Sequence, residues 1–235
     1  MIESNRSHYF SSLTIKIIAI TTMIIDHIGA VFWLHDGFRV VGRIAFPLFV
    51  FLIADSCRHT KSMEKFLLRL FIFAMVSEVP FDLAFMHISG QVSFVQNTNI
   101  FYTLFLGVFC VYIFQKLRKQ NQYMWVLAFI PVTLAIFLAD WLGTDFGGRG
   151  VLFVFLVAVL WEYKTIQLGI IALFMFWLYF PAMNLLIGGL AAVPIAALAS
   201  GKQGVSLPFM KWLFYVIYPG HLLLLAAIKT LWTGF

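Results

Sequence analysis

The sequence predicts an all-α integral membrane protein, a polytopic bundle of about nine transmembrane helices in a single domain over residues 1–235. Hydrophobic residues make up 62% of the chain and charged residues only 11%, whereas soluble domains carry roughly 25% charged residues. Apolar runs of nearly twenty residues recur along the whole chain, and this is the length that a helix needs to cross the hydrocarbon core. The alternating ten-residue pattern of a membrane barrel is absent from the sequence.

The apolar runs predict nine spans, of which the second and sixth are short enough that one of them is either re-entrant or tilted. The predicted ranges are 13–35, 40–57, 66–86, 99–115, 123–141, 149–162, 166–181, 184–199 and 210–229. No cleavable signal peptide is expected, because the chain is polar through Ser12 and the first run is too long. Cys57 and Cys110 lie in apolar runs, which favours small packing residues over a disulfide or a zinc site.

The basic residues predict the orientation of the bundle. With the N-terminus in the cytoplasm, twelve of the 16 Lys and Arg residues fall on the cytoplasmic side and four on the other, as the positive-inside rule requires. This places the C-terminus outside and requires an odd number of spans. The predicted external loop 87–98 contains no Lys or Arg. The net charge of +6 is therefore attributed to basic loops beside anionic lipid, and no nucleic acid partner is expected.

Asp26 and His27 are adjacent within the first span. A charge at bilayer depth costs about 2.5–3.5 kcal/mol on insertion scales, so such residues usually face one another, face water or carry out chemistry. A carboxylate beside a neutral imidazole is a general-base arrangement. Two alternatives remain open, because neighbours on a helix do not face each other well: Asp26 pairs with Arg43 instead, or the group only holds spans together.

The second span begins with Arg39 and Arg43, four residues apart on one helical face, with Gly42 between them. Pro47 cannot donate to the carbonyl of Arg43, which predicts a kink there. Paired arginines near a kink can clamp phosphate or carboxylate. In the alternative, Arg39 snorkels to the surface and only Arg43 is buried.

A basic segment follows, with His59 and Lys61 in a predicted cytoplasmic loop and Arg69 inside the third span. Such residues usually serve topology and lipid contact. The sharper interpretation is a docking surface for a polyphosphate donor such as coenzyme A. Arg69 is then the best candidate for binding the donor.

Three further regions carry polar residues. Glu78, near the end of the third span, is a candidate for orienting an amine or for balancing Arg43, and Asn99 points inward at the start of the fourth span. The charged turn at 140–150 is interpreted as a cap. Tyr218 and His221 lie in the last span around Pro219, where they are expected to share a cavity with the first two spans. His27 and His221 lack a clear third ligand, so no metal site is predicted.

Two blocks of the sequence resemble the TraX family: the first is Ile17-Ile18-Ala19 followed by Met23-Ile24-Ile25-Asp26-His27-Ile28-Gly29, and the second is Val41-Gly42-Arg43-Ile44-Ala45-Phe46-Pro47-Leu48-Phe49. Shorter similar blocks lie at 59–60, 69–70, 77–81, 99–103, 145–147 and 218–222, so the resemblance runs over nearly the full chain. Gly220 and Arg149 depart from the family pattern, which has a bulkier apolar residue and an aromatic residue there.

This resemblance implies N-terminal acetylation of a conjugative pilin in the bacterial inner membrane, with acetyl-CoA as the acyl donor. The family also looks similar to transmembrane acyltransferases that use an intramembrane histidine. On this basis His27 is the base, Asp26 orients it, and Arg43 or Arg69 helps to hold the donor. Arg39, His59 and Lys61 join the expected donor site, and Glu78, Asn99, Tyr218 and His221 the expected acceptor site.

Three functions remain open on the sequence alone. The favoured one is direct acyl transfer to an amine, with a glycan or lipid hydroxyl as alternative acceptors. The second is a proton-coupled transporter that uses the same buried acids and histidines, although the chain shows no internal repeat of the kind many transporters carry. The third is a scaffold for pilus or envelope assembly.

Overall fold

The computed structural model describes residues 10–89, 97–121, 123–202 and 210–233, and these are helical apart from their connections and one isolated bridge between Phe10 and Ala199. A short 3₁₀-helix, Met124–Ala128, leads directly into α6. The α-helices of the described residues are, in chain order, α1 (Ser12–Val31), α2 (Gly37–Gly42), α3 (Ala45–His59), α4 (Met63–Ser89), α5 (Ile100–Gln120), α6 (Phe129–Trp141), α7 (Gly147–Val159), α8 (Lys164–Tyr179), α9 (Met183–Leu190), α10 (Ala192–Ala197) and α11 (Met210–Thr233).

Every predicted apolar run is helical, which confirms a helical membrane protein. Five helical segments of the described chain are long and apolar enough to cross a membrane: Ser12–Val31, Gly37–His59, Ile100–Gln120, Met124–Trp141 and Trp212–Trp232. The shorter apolar segments are Gly147–Val159, Lys164–Tyr179 and Met183–Ala197. Residues 90–96 of the predicted external loop, and Arg6 among the counted basic residues, lie outside the described residues.

The predicted kink in the second span is confirmed at Arg43. Helix α2 ends at Gly42 and α3 starts at Ala45, so the break lies one turn before Pro47. A proline removes the hydrogen bond to the carbonyl four residues earlier, which is that of Arg43. The break turns the Arg43 side chain toward α1, and Gly42 allows the two helices to approach closely.

The start of α1 is held against the end of α3. Ser11 caps α1, because its hydroxyl accepts a hydrogen bond from the amide of Thr14 at 3.2 Å. The hydroxyl of Ser12 donates to Oδ2 of Asp55 at 3.0 Å. Because Ser12 begins α1 and Asp55 lies near the end of α3, the two helices run antiparallel. The last turn of α1 therefore lies beside the Arg43 break.

A continuous apolar core joins the helices that surround this pair. Side chains without solvent exposure come from α1, α3, α4, α7 and α11, among them Ile15, Leu48, Leu70, Phe153 and Leu222. Large apolar residues on the outer faces are exposed, for example Phe137 on α6. Exposed apolar surface of this extent fits a lipid environment. Inside this core, the inner faces of α1, α3, α4, α5 and α11 border a shared cavity.

Candidate active site

One cavity of about 510 Å³ runs along the inner face of α1. It extends from Lys16, near the start of the helix, to His27. These two residues are eleven positions apart, which corresponds to about 16 Å along the helix at 1.5 Å per residue. The two ends of the cavity differ in chemistry, and its middle is apolar. The apolar lining includes Ile20, Met23, Phe49, Leu52, Ile53, Leu70, Phe101 and Leu104.

The inner end is organised around the carboxylate of Asp26. Its Oδ1 accepts from Nη2 of Arg43 at 2.6 Å, and its Oδ2 accepts from Nη1 of Arg39 at 2.7 Å. Asp26 and Arg43 are each 13% exposed and Arg39 is 35% exposed. Nε of Arg43 also donates to the backbone carbonyl of Arg39 at 3.2 Å, and its guanidinium lies over the ring of Tyr179. This is the Asp–Arg pairing that the sequence left open.

The expected orientation of His27 by Asp26 is wrong. Both carboxylate oxygens of Asp26 bind arginines, and the described residues contain no hydrogen bond between Asp26 and His27. Nδ1 of His27 lies 2.7 Å from Nε2 of His221 on α11 instead. Adjacent residues project about 100° apart on a helix, so Asp26 faces α2 while His27 faces α11. His221 was expected to share the cavity as part of the acceptor site; it lies outside the cavity lining and is instead a partner of His27.

Aromatic side chains enclose the ring of His27. Phe85 and Tyr218 contact it edge-on, with ring centroids 5.5 and 6.0 Å away. Tyr218 lines the cavity as predicted. Together with His221, these rings hold the imidazole against the cavity wall. A rigid setting of this kind favours one orientation of the ring nitrogens.

Asp145 also lines the inner end, although its segment was interpreted only as a cap. It lies in the connection between α6 and α7, where its amide donates to the carbonyl of Thr98 at 2.9 Å and its carbonyl accepts from the hydroxyl of Thr103. The next residue, Phe146, has a left-handed φ of 67°, a conformation that side chains rarely adopt and that is concentrated at functional sites. The 145–147 block of the TraX resemblance was the sequence signal for this residue.

Asp145 lines the cavity, while its backbone is fixed by the hydrogen bonds to Thr98 and Thr103. The side chain is accessible from the cavity, but the protein around it removes part of its hydration and raises the pKa of this carboxyl to about 6, and the positive charge of Arg43 opposes that rise. The capping role belongs to Asp140, whose Oδ1 accepts from the amide of Gly148 at 2.7 Å. Two carboxyl groups and two arginines therefore meet at the inner end.

The outer end is basic. Lys16, His59 and Arg69 line it, and Nε of Arg69 is buried with no hydrogen-bond partner among the described residues. Nδ1 of His59 lies 2.9 Å from the backbone carbonyl oxygen of Asp55. Lys61 is exposed and lies outside the cavity lining, so the structure does not bring it into this group.

Glu78 and Asn99 also lie outside the cavity. Their side chains are 2% and 0% exposed, and the amide of Asn99 donates to Oε2 of Glu78. The side-chain oxygen of Asn99 accepts from the amide of Phe101 at 3.0 Å and thereby caps α5. The structure thus gives both residues a role in joining α4 to α5 and not in contacting a substrate. Among the described residues, no group of three His, Cys, Asp or Glu side chains is placed to hold a metal ion.

The sequence is similar to known proteins over the same part of the chain. The sequence model described as TraX protein matches residues 11–229, which include both ends of the cavity. The chain is also 25% identical over 253 aligned positions to the probable fimbrial assembly protein FimC, serogroup H1, of Dichelobacter nodosus, and the alignment covers 96% of this chain and 98% of that protein. No solved structure matches the chain. Since the family match spans nearly all of the described helices, this chain belongs to the TraX protein family.

Proposed function

We propose that this protein is an integral-membrane acyltransferase that moves an acetyl group from acetyl-CoA to an amine. One observation carries the proposal: His27, Arg39 and Arg43 line one end of a cavity, and a separate basic group lines its other end about 16 Å away along α1. A thioester donor has a polyphosphate head and a long, mostly apolar arm. The cavity has matching parts in the same order: a basic outer end for the polyphosphate head, an apolar middle for the arm, and a polar inner end for the thioester.

The topology that we propose places the donor on the correct side. Nine crossings with the N-terminus in the cytoplasm put Lys16, His59 and Arg69 at the cytoplasmic end, because Lys16 and Ser12 start α1 and His59 ends α3. Acetyl-CoA is made in the cytoplasm and carries several phosphate charges. The buried, unpaired Nε of Arg69 is then a donor for one phosphate oxygen.

The proposed reaction is direct transfer. The acceptor nitrogen attacks the thioester carbonyl while Nε2 of His27 takes the proton that this nitrogen loses. The carbonyl oxygen becomes negative, and guanidinium groups at the inner end stabilise it. When the tetrahedral intermediate collapses, the carbon–sulfur bond breaks and His27 returns the proton to the thiolate. The products are an acetylated amine and free coenzyme A.

Arg39 and Arg43 are suited to the oxyanion because each keeps donors beyond those that bind Asp26. A guanidinium has five N–H groups in a planar fork, and Arg39 uses only Nη1 in its bonds to the side chain and carbonyl of Asp26. Asp26 then acts by holding both arginines in place. A preorganised donor of this type contributes about 10²–10³ in rate.

The acceptor that we propose is the N-terminal amine of a pilin or another membrane-associated protein in the bacterial inner membrane. The relative from Dichelobacter nodosus is named a probable fimbrial assembly protein, which supports a pilus-related acceptor. A glycan or lipid hydroxyl is the alternative, since the same base can deprotonate either group.

Labelled acetyl-CoA tests the proposal directly. The purified protein is reconstituted in nanodiscs and offered a peptide with a free N-terminus, the same peptide with a blocked N-terminus, or a lipid extract. We expect label in the free peptide, and loss of that label in His27→Ala but not in His35→Ala, whose exposed side chain lies outside the cavity. Full transfer by His27→Ala would remove His27 from the mechanism.

A proton-coupled transporter is the second candidate, because the same cavity contains histidines, carboxyl groups and arginines. In proteoliposomes that contain no acetyl-CoA, an imposed pH gradient would then drive uptake of a solute. Uptake without acetyl-CoA, together with absent acetyl transfer, favours transport.

A further inference from the structure

We infer that His221 is a positioning residue that holds His27 in the tautomer required of a general base, an inference that rests on the proposed function. The two residues are 194 positions apart in the sequence and belong to the first and last helices. Their ring planes lie within 7° of parallel, with centroids 4.9 Å apart and Nδ1 of His27 2.7 Å from Nε2 of His221. Because an imidazole lone pair lies in the plane of the ring, this arrangement fits a short in-plane N–H···N bond.

The direction of that bond follows from its far end. Nδ1 of His221 lies 2.7 Å from the carbonyl oxygen of Ile217, and a carbonyl oxygen can only accept. Nδ1 of His221 therefore carries a proton. In a neutral imidazole the other nitrogen then bears a lone pair, so Nε2 of His221 accepts and Nδ1 of His27 donates.

The consequence lies on the opposite nitrogen of His27. With its proton at Nδ1, a neutral His27 has a bare Nε2, and the described residues provide no hydrogen-bond partner for that atom. His27 lines the cavity. The carbonyl of Ile217 thus sets the tautomer of His221, and His221 in turn sets the tautomer of His27.

The alternative is a doubly protonated His221 that donates from both nitrogens. It would leave Nδ1 of His27 as the acceptor and place the remaining His27 proton on Nε2, where it blocks base catalysis. The described residues place no carboxylate within salt-bridge distance of His221. A charged side chain without such a partner is costly inside a membrane bundle, so the neutral pair is favoured.

In this role the neutral imidazole of His221 takes the place of the carboxylate that orients the catalytic histidine in many enzymes. When Nε2 of His27 takes the acceptor proton, the ring becomes an imidazolium and its Nδ1–H bond to His221 strengthens. The proton returns from Nε2 to the leaving thiolate, and the bond to His221 keeps the ring from turning between the two transfers. His221 contacts neither substrate in this scheme.

Two substitutions separate hydrogen bonding from bulk. In His221→Gln, a side-chain oxygen can still accept from Nδ1 of His27, whereas His221→Leu has similar bulk and no acceptor. The protein is labelled with ¹⁵N-histidine and studied in nanodiscs by magnetic resonance, which distinguishes Nδ1–H from Nε2–H tautomers, and His27→Asn identifies the His27 signals. This measurement does not depend on enzyme activity.

We expect Nδ1–H at His27 in the unmodified protein and in His221→Gln, and a shift toward Nε2–H in His221→Leu. A proton on Nε2 of His27 in the unmodified protein would overturn the inference. An unchanged Nδ1–H signal in His221→Leu would overturn it as well, because the tautomer would then not depend on His221.

Kinetics provide a second readout. For acetyl transfer we expect His221→Leu to lower kcat at least about tenfold with KM for acetyl-CoA changed less than about twofold, and His221→Gln to recover most of kcat. His35→Leu is the matched control on an exposed histidine. Equal kcat in His221→Leu and the unmodified protein would contradict the inference. Absence of transfer in the unmodified protein would count against the proposed function alone, and the tautomer measurement would still decide the role of His221.

Discussion

The ion pairs of Asp26 predict a large stability effect from a nearly isosteric change. Asp26→Asn removes one negative charge and leaves Arg39 and Arg43 side by side, joined only by neutral hydrogen bonds to the new amide. Removing one partner of a buried ion pair costs about 3–5 kcal/mol. Arg39 is 35% exposed, so part of its charge is screened, and we expect a loss of about 2–4 kcal/mol.

This loss is measurable as a change in the midpoint of thermal unfolding. At about 2–4 °C per kcal/mol for a chain of this size, the midpoint falls by about 5–15 °C. The two free cysteines provide the assay, because Cys57 and Cys110 are 5% and 0% exposed and react with a thiol-sensitive dye only after unfolding. The protein is heated in the same detergent and at the same pH for every variant.

The matched control is the exposed pair between Arg58 and Glu162. These side chains are 42% and 72% exposed and lie 3.1 Å apart, so Glu162→Gln should change the free energy of unfolding by less than about 1 kcal/mol. Equal midpoints for Asp26→Asn and Glu162→Gln would refute the claim that burial makes the Asp26 network a structural element. A fall only in Asp26→Asn supports it.

Three further predictions concern single side chains. Gly42→Ala places a Cβ in the space of the Asp26 carboxylate, so it should lower the unfolding midpoint, whereas Gly169→Ala, with nothing within 4 Å, should not lower it. Arg69→Gln should raise KM for acetyl-CoA about tenfold through loss of a charge-assisted hydrogen bond, with kcat retained; an equal effect of Arg118→Gln, on an exposed residue outside the cavity, would contradict donor binding by Arg69. Because the folded pKa of Asp145, about 6, lies above its ordinary value of 3.8, the folded protein loses stability as the pH rises from about 4 to about 6, and this loss is small because the side chain is exposed to the cavity. Asp145→Asn should therefore unfold at a higher temperature than the unmodified protein above pH 6, as followed by circular dichroism, and this difference should shrink toward pH 4; a difference independent of pH would contradict that origin.

The helices could be predicted from the sequence because each apolar run is local information. Pro47 likewise predicted the break at Arg43, since a proline acts on a carbonyl at a fixed distance along the chain. The pairing of Asp26 with Arg43 was open as an alternative. It could not be decided because it depends on how α2 packs on α1, and only the close approach at Gly42 brings the groups together.

The other site residues depend on contacts that no local pattern reports. His221 meets His27 because α11 packs beside α1, and Asp145 reaches the cavity because a loop conformation at Phe146 turns the chain inward. Glu78 shows the opposite error. A carboxylate in an apolar run suggested chemistry, but its partner is Asn99 at the start of the neighbouring helix, and the pair is buried away from the cavity.

The division of labour between Asp26 and His27 follows from these contacts. Had Asp26 bonded to His27, it would have left the arginines unbalanced inside the bundle, at the cost of an unpaired charge. Pairing Asp26 with Arg39 and Arg43 balances one of these two positive charges and leaves the histidine hydrogen-bonded to a neutral partner. In the proposed reaction, His27 then lies in the same cavity as guanidinium groups that stabilise the developing negative oxygen. The adjacency of Asp26 and His27 in the sequence thus serves two separate contacts, one on each side of α1.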